Sequence, residues 1–282
     1  MGKVSHSSLD PRLTPARPDL AAKHLEGKVA AARYVEGVTY DIHVPQASLW
    51  REPTPDAHQE TEALMGERIT VYESNDEGWT WGQLESDGYV GWIAASALAP
   101  PITRTHKVNA LRTLAFPGPS IKVPPLCGIP FGARLKVERI ENDMAVTSAG
   151  YVPAIHLVPI AEKESDFVAV AERFVGVPYL WCGKTSLGID CSGLIQVALN
   201  ACGVPCPRDS DMQEEALGTP ASLSDLQRGD LVFWKGHAAI ARDHTTVVHA
   251  NGHYMAVTIE PIAETIARIR KAESEVTSVR RI

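Results

Sequence analysis

Residues 40–160 repeat themselves once, at an offset of about 60 residues, and no other feature constrains the fold of the 282-residue chain as strongly. Met65-Gly66-Glu67-Arg68-Ile69-Thr70-Val71 returns as Phe131-Gly132-Ala133-Arg134-Leu135-Lys136-Val137. Gly88-Tyr89-Val90 returns as Gly150-Tyr151-Val152, and Leu98-Ala99-Pro100 as Leu157-Val158-Pro159. The period is too long, and the copies too few, for a solenoid. Within each copy, short alternating runs such as Arg68-Ile69-Thr70-Val71-Tyr72 are broken by turn clusters such as Asn75-Asp76-Glu77-Gly78. Short strands at turn-rich spacing predict two small β-barrels, over residues 40–100 and 101–161. That leaves a proline-interrupted lead-in, residues 1–39, and a third region, residues 162–282. Trp79, Trp81, Tyr89 and Trp92 load the first copy with aromatic rings that the second lacks; their plainest use is core, with ligand contact by Tyr89 as the alternative.

The third region contains Ile189-Asp190-Cys191-Ser192-Gly193-Leu194-Ile195. Apolar residues recur through Ala198 and Leu199 until Gly203 and Pro205 stop the run, which predicts a helix opened by an Asp190 cap. Cys191 then sits in the first turn, where unpaired N–H groups and the helix dipole favour an anion. The thiolate is the attacking form of cysteine, so this placement suits a nucleophile; the alternative is an inert buried thiol. Downstream, Leu231-Val232-Phe233-Trp234 and His237-Ala238-Ala239-Ile240-Ala241 read as strands. Asp243-His244-Thr245-Thr246 reads as a turn and Val247-Val248-His249-Ala250 as a returning strand. Side chains alternate along a strand, so His237 and His249 can share one face of such a hairpin. Cysteine, histidine and a polar group behind it form a nucleophile, base and orienter. An imidazolium neighbour and the helix start could together depress the thiol enough for a thiolate–imidazolium pair to exist at neutral pH. Ser165-Asp166 caps a further amphipathic helix from Phe167, residues 254–259 read as a strand, and residues 260–271 as the last helix.

Asp-Cys-Ser-Gly on a helix, Gly-His-x-x-Ile on a strand and a second His 12 positions later together resemble the NlpC-type cell-wall cysteine peptidases, a papain-like family. The resemblance covers about residues 162–282. It implies an α+β fold in which a helix carrying the cysteine packs on an antiparallel sheet, with Cys191, His237 and His249 as the catalytic triad. The two repeats resemble the bacterial SH3-like barrels that accompany such enzymes. Family members cleave peptidoglycan stem peptides between γ-D-glutamate and an L-diamino acid. Those with SH3-like domains act on muropeptides bearing a free N-terminal L-alanine. By motif position the resemblance implies Tyr179 and Trp181 as pocket walls, Asp190 and Ser192 as the glutamyl-binding pair, and Asp209 and Ser210 as the amine-recognising pair. Asp209 could instead cap the helix that follows it. In these relatives an aromatic and an acidic residue of the first barrel close the cleft; Tyr89 is the match for the first, and Glu52 or Glu60 for the second. Alternatives are an exported endopeptidase acting on intact peptidoglycan, or an amidase or acyl transferase on another substrate.

Composition narrows the remaining choices. A net charge of −7 argues against nucleic-acid binding, and no apolar run reaches the length of a membrane span. Five cysteines and a start without a secretory apolar core point to a cytoplasmic protein with free thiols, expected to be monomeric. The chemistry calls for no cofactor. A zinc site joining Cys191 to Cys202 is rejected, since 11 residues of one helix separate them by roughly 16 Å.

Overall fold

The alternation of residues 38–99 folds into one seven-stranded antiparallel sheet. Its order is Gln59–Leu64, Gln46–Trp50, Val90–Ala94, Trp79–Leu84, Arg68–Ser74, Val38–Ile42 and Leu98–Ala99. The computed structural model describes residues 9–272 and 274–282; the first eight residues of the lead-in and Glu273 lie outside the described residues. Two compact units result, residues 1–103 and 104–282. In the first, Ile42, Leu49, Ile69, Val71, Leu84, Tyr89 and Ile93 are buried together. In the lead-in Ala21–Ala22 pairs in parallel with Tyr34–Val35, and a single helical turn, Lys23–Leu25, follows the first of these strands. The lead-in also explains much of the aromatic load. The Arg17 guanidinium lies 4.4 Å from the Trp81 ring centre and 5.0 Å from that of Trp92, and it pairs with Glu73.

In the second unit the later repeat forms three small antiparallel sheets. His106–Val108 lies between Arg134–Leu135 and Leu157–Pro159, Arg112–Ala115 pairs with Cys127–Pro130, and Met144–Thr147 lies between Val137–Glu141 and Gly150–Pro153. Gly150, at φ +116°, allows the backbone to pass close to Phe116; a Cβ there would meet the Phe116 carbonyl oxygen at 2.6 Å. This repeat shares its core with residues 162–282. Phe131 packs edge-on against Phe174 at 6.0 Å, and both belong to one buried cluster with Val170, Leu194, Leu199 and Phe233. Arg173 stacks over the outer face of Phe131 and donates to the Asn109 carbonyl. Burial against a neighbour replaces the tryptophans that serve the first copy.

Residues 162–282 build a six-stranded antiparallel sheet in the order Thr219–Ala221, Val276–Arg281, Leu231–Trp234, His237–Ala241, Thr246–Asn251, Ala256–Pro261. Helices α1 (Phe167–Glu172) and α2 (Cys191–Ala201) cover one face, where Leu194, Ile195 and Ala198 meet Phe233, Ile240 and Val248. Helix α3 (Ser210–Ala216) follows the Pro205–Pro207 loop. Helix α4 (Ile262–Arg270) covers the opposite face with Ile262, Ile266 and Ile269 against Val232, Trp234 and Val247. It starts two residues later than expected: Pro261, which cannot donate a backbone bond, stands at its N-cap, and Glu260 remains on the strand. Among the described residues no helix is long and apolar enough to cross a membrane.

Candidate active site

Helix α2 opens at Cys191 because Asp190 caps it. The Asp190 Oδ1 accepts the Gly193 N–H at 2.6 Å, and Oδ2 accepts the Cys182 N–H at 2.8 Å. Both oxygens are also held by Arg208, a buried residue that the motif reading passed over; its Nη1 reaches Oδ1 at 2.9 Å and Nη2 reaches Oδ2 at 2.8 Å. The same guanidinium donates to Ser192 Oγ at 3.0 Å and to the Gly183 carbonyl at 3.2 Å. Gln213 of α3 ties this cluster down by donating to the Ser192 and Pro207 carbonyls, each at 2.9 Å. Nothing in the sequence beyond the proximity of Arg208 to a proline loop marks it. Its fork fits a carboxylate that exists only once the loop folds back.

His237 begins its strand and His249 lies on the neighbour. The ladder between the two registers at Ile240↔Val248 and Ala241↔Val247, with no further pairing toward His237. At that open end the backbone N–H of Ala238, adjacent to His237, bonds the Cys191 thiol. The two rings lie edge to face with centres 5.1 Å apart, and His237 Nε2 is 2.8 Å from His249 Nδ1. His249 is 1% exposed, and its Nε2–H donates to Glu260 Oε1 at 2.9 Å. Arg268 on α4 grips the other oxygen of Glu260 at 2.5 Å. Glu260 was assigned to a helix by sequence; the signal that could have found it is the alternation Thr258-x-Glu260 ahead of Pro261, which places it on the strand paired to that of His249.

Charge in this site is governed by burial. Burial, and then the neighbouring Asp190 carboxylate, push the Cys191 thiol up to about 12. Burial, followed by the His249 ring and Arg268, holds His237 down to about 3. Desolvation thus acts against the expected thiolate–imidazolium pair, favouring neutral sulfur and neutral imidazole. Glu260 behaves oppositely: burial works to raise it, but the bonds from His249 and Arg268 prevail and bring it down to about 2.

The other expected residues fall as follows. Burial raises the Tyr179 phenol, with the charges of Cys191 and Asp190 adding to the shift. Trp181 is 57% exposed on the turn before Cys182. Ser192 is buried under Arg208. Asp209 occupies the α3 N-cap position, yet its side chain makes no capping bond; Ser210 is the first residue of that helix. Tyr89 is 2% exposed inside the core of its own unit. Glu60 pairs with Arg51, and Glu52 is exposed.

Comparison with known proteins supplies the family. Residues 176–274 match the NlpC/P60 family, and residues 49–98 match the bacterial dipeptidyl-peptidase Sh3 domain. Dipeptidyl-peptidase 6 of Lysinibacillus sphaericus is 35% identical over 73% of this chain and 84% of its own. The gamma-D-glutamyl-L-lysine dipeptidyl-peptidase of Bacillus subtilis is 27% identical over 91% of this chain and 90% of its own. The crystal structure of an NlpC/P60 family protein from Bacillus cereus superposes with a TM-score of 0.72 at 21% identity, covering 86% of this chain and 99% of that one.

Proposed function

The chain belongs to the NlpC/P60 family, and from that premise we propose that it hydrolyses the γ-D-glutamyl–L-diamino acid bond of peptidoglycan stem peptides carrying a free N-terminal L-alanine. It is a cysteine peptidase, and peptidoglycan peptides are its substrate class. The observation that carries the finer reading is the match along 91% of this chain to a protein named for γ-D-glutamyl-L-lysine cleavage. Within this reading Cys191 is the nucleophile, His237 the base and His249 its orienter. Residues 101–161 act as a second SH3-like barrel in addition to the one at residues 40–100, and residues 162–282 as the peptidase domain. Recycling of murein peptides in the cytoplasm is the setting that suits a free-amine substrate.

Neutral Cys191 gives its proton to His237 as sulfur attacks the amide carbonyl, forming a tetrahedral oxyanion. The Cys191 backbone N–H at the helix start and the Tyr179 hydroxyl are the candidate oxyanion donors. Collapse to the thioester transfers the proton from His237 to the leaving amine, and water then releases the acyl group. Asp209 and Ser210 are proposed to take the substrate ammonium, Asp190, Ser192 and Arg208 to border the glutamyl carboxylate, and Trp181 to wall the pocket. A carboxylate facing an ammonium makes a charge-assisted bond that an N-blocked peptide cannot form.

Incubation with L-Ala-γ-D-Glu-diaminopimelate, its N-acetylated form and purified sacculi tests the reading. Cleavage of the free peptide alone supports it. Release from sacculi would place the protein among wall-cleaving endopeptidases. Cys191→Ala should abolish turnover with the fold intact; activity above a few per cent of wild type removes Cys191 from the nucleophile role.

A further inference from the structure

We infer that Glu260, clamped by Arg268, is a positioning residue that dictates which nitrogen of His237 is free to take the thiol proton. The assignment rests on the reading of Cys191 and His237 as nucleophile and base, and follows from one hydrogen-bond chain. A carboxylate can only accept, so His249 Nε2, 2.9 Å from Glu260 Oε1, must carry hydrogen. In neutral His249 the lone pair is then on Nδ1. That nitrogen lies 2.8 Å from His237 Nε2, which must in turn carry hydrogen. The lone pair of neutral His237 is thereby left on Nδ1, the nitrogen not engaged by His249, where a base facing the thiol needs it. When the thiol proton moves from Sγ to Nδ1 and its bonding pair stays on sulfur, the imidazolium keeps its Nε2–H pointing at His249, and no ring has to turn.

The surroundings hold this direction. Arg268 donates to Glu260 Oε2, and Thr258 Oγ1 donates to Oε1 at 3.0 Å, so the carboxylate is fixed in place and in charge. Asn251 approaches His249 Nε2 at 3.3 Å through its amide nitrogen, but that amide is oriented otherwise. Its Oδ1 accepts the Tyr254 N–H at 2.9 Å, and its Nδ2 lies 2.8 Å from Thr258 Oγ1 and 3.4 Å from the Ala256 carbonyl. Its hydrogens therefore have acceptors of their own, and Nε2–H of His249 is left to Glu260.

Glu260→Gln reverses the chain without changing its shape. Arg268 can only donate, so it draws the amide oxygen and turns the amide nitrogen toward His249. His249 Nε2 must then accept, its Nδ1–H donates to His237 Nε2, and the hydrogen of His237 moves to Nδ1, the wrong side. A wrong tautomer alone can cost a hydrolase up to ~10⁴ in kcat. We expect kcat to fall by at least about 10²-fold with KM changed less than about threefold, and partial recovery, by tenfold or more, in Glu260→Gln/Arg268→Met, where the amide can turn back.

Nitrogen-15 NMR of the histidine rings reads the tautomers directly. In the resting wild type both His237 and His249 should carry hydrogen on Nε2; a ring of either with hydrogen on Nδ1 and none on Nε2 overturns the assignment even if no variant folds. In folded Glu260→Gln both should switch to Nδ1. A kcat within threefold of wild type, a lowered kcat with unchanged tautomers, or a double variant no faster than the single one overturns it as well. A wild type that hydrolyses no peptide would instead strike the reading of Cys191 and His237, which the ring spectra do not test.

Discussion

The guanidinium of Arg208 holds both carboxylate oxygens of Asp190, at 2.9 and 2.8 Å, directly in front of the Cys191 helix. Both groups are buried, and burial acts against the charge of Arg208 while Asp190 keeps it charged and raises it further. Removing one member leaves the other as an uncompensated buried charge, which typically costs ~3–5 kcal/mol. Arg208→Met is expected to lose stability of that order in denaturant titration, and Arg208→Lys to recover only part, because an ammonium cannot span two oxygens. A loss below about 1 kcal/mol would mean that the Asp190 cap stands without its partner.

Gly193 leaves no room for a side chain. A Cβ there would collide with the Gly183 carbonyl oxygen and lie 2.8 Å from Asp190 Oδ1. Gly193→Ala should therefore displace the capping carboxylate and the first turn that aims Cys191. Turnover should fall at least tenfold, more than Ala at a solvent-facing helix site could explain; unchanged kcat/KM would show that the helix start tolerates the shift.

Phe131→Ala tests whether the second repeat and the peptidase sheet share one core. The ring is buried between Phe174 and Arg173, and deleting a buried phenylalanine usually costs ~3–5 kcal/mol. Loss of that order with one cooperative transition for residues 104–282 is expected. Separate transitions for residues 104–161 and 162–282 in wild type would contradict a common core.

Stability should depend on pH at both ends. Folded His237 refuses a proton until about 3, whereas the unfolded ring takes one near 6.5, so the unfolded chain binds more protons across that window and stability rises with pH through it. Glu260 adds the same sign between about 2 and 4.5. Cys191 keeps its proton to about 12 when folded but loses it near 9.0 when unfolded, so stability falls as pH rises through that range. Cys191→Ala should flatten the alkaline slope. Parallel wild-type and Cys191→Ala curves between pH 8 and 11 would show that the folded thiol ionises as an exposed one does.

Local pattern carried the duplication of residues 40–160, the capped helix at Cys191 and the histidine hairpin, because period, caps and turn residues act over a few positions. It failed where partners come from far along the chain. Residue 260 reads as the start of the last helix, but Pro261 and pairing with the strand of His249 keep it extended. The thiol that a helix start should lower is pushed up by burial, a quantity no local pattern reports.

What the sequence by itself determined is the set of elements and the residues able to do chemistry, since backbone preference and side-chain type are local properties. Only the tertiary structure decided that Arg208 pins Asp190, that Glu260 and Arg268 stand behind His249, and that Phe131 joins a repeat to the peptidase core. Those relations depend on which distant segments exclude water from one another, and desolvation is set by the whole fold.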